Sequence, residues 1–131
     1  MLYLRMKNIE ALVSNTNIKL TSARVAILEV FAKTSKPLSY EDIKEDLLMD
    51  KATFYRNISK FEEENIINSF ESNDKKRYFE IKKNAHSHFI CSLCSKVECL
   101  SERSNIELPG YKIENVIIKG ICQICMNKKN D

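Results

Sequence analysis

Four of the five cysteines fall into two CxxC spacings, Cys91-Ser-Leu-Cys94 and Cys122-Gln-Ile-Cys125, with 27 residues (95–121) between them. A CxxC turn points two thiolates at one ion without straining the backbone. Two such knuckles complete the tetrahedral sulfur shell that structural zinc prefers. One CxxC alone reads equally as a redox motif, whereas two in a reducing compartment read as one zinc site. The interval is longer than in a compact zinc ribbon, so residues 95–121 are expected to form a hairpin or small sheet. The competing readings are four independent buried or reactive thiols, or a disulfide framework. Because the part beyond residue 84 is short and weakly apolar, zinc binding is expected to be part of its folding.

The rest of the composition bounds the chain without naming a partner. Its 131 residues suffice for one domain or two small ones, and 44% hydrophobic with 30% charged is an ordinary globular balance. Met1-Leu2-Tyr3-Leu4-Arg5 has no signal-peptide core, and no apolar run approaches the ~20 residues that span a bilayer. A cytoplasmic location with reduced thiols and no membrane partner is therefore expected. The net charge is +3; residues 1–83 carry 15 Lys+Arg against 13 Asp+Glu, and residues 84–131 carry 6 against 5. That excess is smaller than a nucleic-acid binder usually shows, so any such function rests on where the charges sit. Two Gly and two Pro in the whole chain favour long regular elements.

The first part reads as helices. Residues 3–14 mix Leu4, Ile9, Leu12 and Val13 with charges. Thr21 is placed to cap a helix to Lys33 with an apolar stripe of Val25, Leu28, Phe31 and Ala32. After Pro37, Ser39 can cap a third helix from Tyr40 to Leu48, with Asp42 completing a capping box. Asp50 can cap a fourth, Lys51 to Glu64, whose Phe54, Ile58 and Phe61 mark a buried face. Its other face presents Lys51, Thr53, Tyr55, Arg56 and Lys60. Strand-prone runs follow at Ile66–Phe70 and Arg77–Ile81, with the turn cluster Ser72-Asn73-Asp74 between them. Helices followed by a hairpin suggest a winged helix-turn-helix. All five cysteines and both histidines lie beyond residue 84, where we place a boundary between residues 1–83 and residues 84–131. Further strands are expected at Phe89–Ile90, Lys96–Leu100 and Tyr111–Ile118.

These residues resemble the ferric uptake regulator family. Leu20-Thr21-Ser22-Ala23-Arg24 is similar to its LTxxR opening, and Ala52-Thr53-Phe54-Tyr55-Arg56-Asn57 to its ATVYRxL recognition-helix motif. The run from His86 through His88 and Cys91 to Cys94 is similar to HxHxxCxxC. Gly120-Ile121-Cys122-Gln123-Ile124-Cys125 is similar to the closing GxCxxC. The resemblance spans about residues 17–126. It implies an α+β chain: an N-terminal winged-helix DNA-binding domain, then a small α/β dimerisation domain with a four-cysteine zinc site. It further implies a homodimeric repressor that binds AT-rich inverted repeats of double-stranded DNA when a regulatory metal is bound, with no small-molecule substrate.

In that setting Arg56 can bind a guanine edge or a phosphate, and Tyr55 can press on a thymine methyl. Lys75, Lys76 and Arg77 fall at the expected wing tip, where cations neutralise phosphates. Without the resemblance, the same residues read as a solvated helix face and a soluble hairpin tip. Glu62-Glu63-Glu64 has no role here beyond keeping the helix end off the phosphates. By family position Glu80, His86 and His88 match regulatory-metal ligands, and Cys99 falls where some members place an acidic ligand. Two imidazoles, a carboxylate and a thiolate suit Zn²⁺ and can also hold Fe²⁺, Mn²⁺, Co²⁺ or Ni²⁺. The chain departs from the family in lacking a histidine near Pro37, in carrying Ala85 and Ser87 at positions often polar, and in a shortened interval from Leu100 to Tyr111. Three other readings stay open: a peroxide or redox sensor of the same fold, a zinc-ribbon module that binds nucleic acid or protein without sensing, and a thiol-redox enzyme. With no nucleophile–base pair, paired carboxylates or phosphate loop, an enzyme is not expected.

Overall fold

Side-chain caps set the helical frame. The computed structural model describes residues 2–34, 36–82, 87–100 and 108–129, with backbone alone at 2–7 and 129. Helix α1 spans Leu2–Val13 and α2 spans Ser22–Ala32. The latter starts where Thr21 Oγ1 accepts the Arg24 N–H at 3.2 Å. Ser39 and Asp42 form both halves of a capping box, at 2.9 and 3.3 Å, opening the short α3, Tyr40–Ile43. Asp50 Oδ1 accepts the Thr53 N–H at 2.8 Å and opens α4, Lys51–Glu63. That helix ends in a Schellman motif: Asn65 stands at φ 59°, and the Asn65 and Ile66 N–H groups reach the Glu62 and Phe61 carbonyls. Asn tolerates this left-handed geometry better than most residues with a side chain.

Strand β1 (Leu38–Ser39), β2 (Ile67–Glu71) and β3 (Arg77–Ile81) form a sheet in the order β1-β3-β2. Alternation gives this wing sheet two buried faces. Phe79 and Ile81 join Ile27, Leu28, Phe31, Phe54, Ile58 and Phe61 in one apolar core. Asn68, Phe70 and Glu80 are also buried, at 8%, 6% and 4% exposure, but on the opposite face by parity. The bonds Ser72 N–H to Lys76 O and Lys82 N–H to Ile66 O bracket the β2–β3 ladder. The Ser69–Phe79 pair is therefore a non-hydrogen-bonded one, and the Ser69 carbonyl points to the open edge of β2.

The second sheet has the order β5-β4-β6: β4 (Ser87–Cys91) pairs antiparallel with β5 (Val97–Leu100) and parallel with β6 (Ile117–Gly120). Helix α5, Gln123–Lys129, follows. Among the described residues no helix is long and apolar enough to cross a membrane.

Several expectations need correction. The third helix stops at Ile43 and tightens into a 3-10 turn, Lys44–Asp46, before Leu47 turns extended and buries its side chain. Leu48 is thus left fully exposed, ahead of α4. Ala32 is exposed, and Ile27 takes the core place on α2. The strand expected over Tyr111–Ile118 begins only at Ile117. Residues 111–116 follow the Pro109-Gly110 turn without joining a strand of this chain. Neither β1 nor α5 was anticipated from the sequence. Residue 84, the shortened interval at 101–107 and His86 lie outside the described residues.

Candidate metal centres and nucleic-acid face

The two knuckles meet. The sulfurs of Cys91, Cys94, Cys122 and Cys125 all lie within 4.8 Å of one another, and Cys94 Sγ is 3.7 Å from Cys122 Sγ. A regular tetrahedron with Zn–S bonds of about 2.3 Å needs sulfur–sulfur edges of about 3.8 Å, so the set fits a tetrahedral thiophilic cation. Parallel pairing of β4 with β6 puts Cys91 opposite Gly120 and delivers the second knuckle beside the first. A Cβ on Gly120 would stand 3.3 Å from the Phe89 ring, so a side chain there would require that ring to give by a few tenths of an ångström. Ser92 straps the first knuckle to β6, its N–H and Oγ both donating to the Gly120 carbonyl at 2.7 and 2.8 Å.

Electrostatically the four thiols are unequal. Cys91 Sγ accepts backbone N–H groups from Cys94, Cys122 and Leu93 at 3.3–3.4 Å. Those donors bring its thiol down to about 6. Cys125 is pushed up to about 12, chiefly by its contact with the Cys122 sulfur and then by desolvation. The Cys91 thiolate is thus prepared by the backbone, whereas Cys125 needs a cation to ionise beside it.

A second cluster lies between the wing sheet and β4. His88 Nε2–H donates to Glu80 Oε2 at 3.1 Å, and Asn68 Nδ2 reaches Glu80 Oε1 at 3.4 Å. The His88 ring stacks on Phe70 with centroids 4.4 Å apart. It is fully buried, and its Nδ1 has no hydrogen-bond partner. Cys99 is half-buried and directly across from His88 in the β4–β5 register. Burial, and then the Glu80 charge, push its thiol up. Glu80, His88 and Cys99 are nonetheless not drawn as close as the four cysteines, which are the one such group among the described residues.

The α4 residues divide. Lys51 and Arg56 are exposed, while Thr53, Tyr55 and Lys60 are half-buried. The Tyr55 ring packs against Phe54, Tyr40 and Phe79 with centroids 5.2–6.1 Å apart. Lys60 Nζ lies 3.7 Å from Glu63. Lys75 and Lys76 are exposed in the wing turn, with Lys75 at φ 65°. Arg77 instead opens β3 and bonds Glu62 at 3.2 Å and Ser69 Oγ at 3.1 Å. Glu62 therefore has a role the sequence reading missed: it ties the end of α4 to the wing.

The motif residues Arg24 and Asn57 also meet. Arg24 Nε donates to Asn57 Oδ1 at 3.0 Å, locking α2 to α4. Asn68 and Asn115 were overlooked as well. An asparagine in mid-strand, where such residues are depleted, was the available signal for Asn68; nothing local marked Asn115.

Comparison with known proteins agrees with this architecture. The ferric uptake regulator family model matches residues 15–118. The ferric uptake regulation protein of Bordetella parapertussis is 30% identical over 128 residues, covering 85% of this chain and 91% of its own. The peroxide operon regulator of Bacillus subtilis is 27% identical over 129 residues, covering 88% and 89%. In fold, the Helicobacter pylori ferric uptake regulator aligns with a TM-score of 0.68 at 19% identity, over 96% of this chain and 94% of that one. The chain belongs to the ferric uptake regulator family, a family of metal-responsive transcriptional regulators rather than enzymes.

Proposed function

We propose that the chain is a repressor that binds an AT-rich inverted repeat of double-stranded DNA as a cytoplasmic homodimer and answers to a divalent metal. Residues 1–83 form the DNA-reading domain and residues 84–131 the zinc-stabilised dimerisation domain. Cys91, Cys94, Cys122 and Cys125 hold a structural zinc ion, which cross-links the two knuckles when bound. Glu80, His86, His88 and Cys99 hold the regulatory ion, Fe²⁺, Zn²⁺, Mn²⁺, Co²⁺ or Ni²⁺. The observation that carries this reading is the buried Glu80–His88 pair, 3.1 Å apart, one partner on the wing and the other on the cysteine sheet. A desolvated His88 Nδ1 without a partner costs about 1–3 kcal/mol, and with a buried carboxylate on the same ring it supports a cation-binding role for the pair. Closing the two halves of such a site favours one domain angle, and differential binding to one conformation is what control requires.

Lys51, Thr53, Tyr55, Arg56 and Lys60 of α4 would face the major groove, with Lys75, Lys76 and Arg77 of the wing against the backbone. The exposed Arg56 carries base recognition in this reading. Tyr55, half inside the aromatic cluster, presents only part of its ring.

The test pairs elemental analysis of the purified chain with binding to AT-rich inverted-repeat DNA before and after mild chelation. Two metals per subunit and chelation-sensitive binding are expected. One metal per subunit with unaffected binding would replace this reading with a constitutive binder. Peroxide sensing is the second reading, favoured by the name of the Bacillus subtilis relative. Direct oxidation of Cys99 is disfavoured, because a thiol pushed up by burial is a poor nucleophile. Mass spectrometry after peroxide treatment separates the cases: oxygen added at His86 or His88 supports metal-catalysed sensing, and oxygen at Cys99 alone supports a thiol sensor.

A further inference from the structure

The wing sheet and the cysteine sheet are joined by more than the Glu80–His88 pair. Asn115 lies in the irregular segment just before β6, and Asn68 is buried in β2. Asn68 Nδ2 donates to Asn115 Oδ1 at 2.5 Å, and Asn115 Nδ2 donates to the Ser69 carbonyl at 3.1 Å. That carbonyl is the one aimed off the open edge of β2. The Asn115 carboxamide therefore donates to the wing edge as a neighbouring strand would, while its oxygen accepts from the Asn68 side chain on the face of that sheet. The other Asn68 amide hydrogen goes to Glu80 Oε1 at 3.4 Å. Just beyond Asn115, the Val116 carbonyl accepts the His88 N–H at 3.0 Å. One path of hydrogen bonds thus runs from Glu80 through Asn68 and Asn115 to the strand that carries His88.

We propose that Asn115, acting through Asn68, is a positioning latch: it pins the cysteine sheet to the wing edge and so holds the two halves of the Glu80–His88 site within reach of one ion. The role assigned to the ion rests on the function proposed above; the latch itself rests on the contacts alone. Glu80 and His88 belong to different sheets, so an ion binding both must meet the cost of bringing them together. Preorganisation by Asn115 removes part of that cost from metal binding. By linkage, metal at the site strengthens the latch by the same factor.

Asn115→Ala, Asn68→Ala and the double variant of the full chain test this. The stacked Phe70 ring shifts the His88 ring protons upfield, and with two histidines in the chain the signals are separable by NMR. Without added metal, Asn115→Ala is expected to move the His88 signals toward the unstacked position. Its affinity for manganese(II), an ion that sulfur sites discriminate against, is expected to fall about five- to tenfold by electron paramagnetic resonance. The double variant is expected to lose no more than the worse single one. An unaltered cobalt–thiolate absorption at the four cysteines certifies the cysteine sheet, and an unaltered far-ultraviolet circular dichroism spectrum and urea midpoint certify the helical module. His88 signals that stay in place in Asn115→Ala, or additive losses in the double variant, overturn the latch. Shifted signals with manganese(II) bound by neither wild type nor variant keep the latch and sink the regulatory-metal reading instead.

Discussion

The two sheets of this protein are held by different physics. The wing sheet closes a helical module in which, among the described residues, fifteen buried apolar side chains from Ile9 to Ile81 form one cluster. Ile27, Leu28, Phe54, Ile58, Phe61 and Phe79 are wholly inaccessible there. Among the described residues of the cysteine half, the buried hydrophobic ones are Ile90, Cys91 and Cys122. Leu93, Tyr111, Ile118 and Ile124 stay exposed on its side of the molecule. Small modules of this size are commonly stapled by metal, because little apolar surface is available to bury. The difference teaches that stability and responsiveness are divided along the chain. In the function proposed above, the helical half holds its shape by apolar packing and the cysteine half depends on ions.

Stripping zinc from the four cysteines is the strongest way to break this comparison. Structural zinc contributes about 10–16 kcal/mol of apparent binding free energy in small modules. The expected outcome of complete chelation is loss of β4–β6 with the far-ultraviolet helix signal largely kept. A cysteine sheet that retains its native circular dichroism and amide protection would refute the division.

Next in size is the converse experiment. Phe54 is inaccessible and packs within 5.0–5.7 Å, centroid to centroid, of Tyr40, Tyr55 and Phe79. Phe54→Ala is expected to destabilise the helical module by about 3–5 kcal/mol in urea titration. The cobalt–thiolate spectrum of the cysteine site should persist at urea concentrations that unfold the variant's helices. Coincident loss of both would mean one cooperative unit.

Arg56→Ala probes function on the stable half. It is expected to cost about 1–3 kcal/mol in operator binding and to relax base preference. Lys76→Ala should weaken binding to all sequences alike and lower the salt slope by about 1. Unchanged operator affinity for the Arg56 variant removes α4 as the reader.

The smallest effect is expected at Glu62, whose bond to Arg77 is part-exposed on both sides, at 32% and 45%. Glu62→Gln should change stability by no more than about 1 kcal/mol. Because it releases Arg77, it should raise nonspecific DNA affinity in an electrophoretic assay, and a decrease would show that the tie itself shapes the wing.

Much of the fold was legible because its determinants are local. Thr21, Ser39 and Asp50 cap helices through bonds that reach three residues, a distance that spacing reveals directly. The buried face of α4 follows from Phe54, Ile58 and Phe61 at helical intervals. The knuckles follow from CxxC. Less was legible where a partner lies far along the chain. Tyr111 to Val116 has the residue types of a strand, yet only β6 finds an edge to pair with. Tyr55 reads as part of a polar face, yet three aromatic neighbours take part of its ring. Glu62 reads as an ill-placed charge until Arg77, fifteen residues on, is beside it.

The sequence by itself determined the helix starts, the apolar stripes, the wing strands and the four-sulfur set, because each depends on neighbours within a turn or on a repeated spacing. Only the tertiary structure decided that β6 runs parallel to β4, that Glu80 meets His88, and that Asn115 bonds Asn68 and Ser69 across 47 and 46 residues. Contacts at that separation depend on how two sheets dock. Docking is settled by which edges and buried polar groups remain unsatisfied once each sheet has formed.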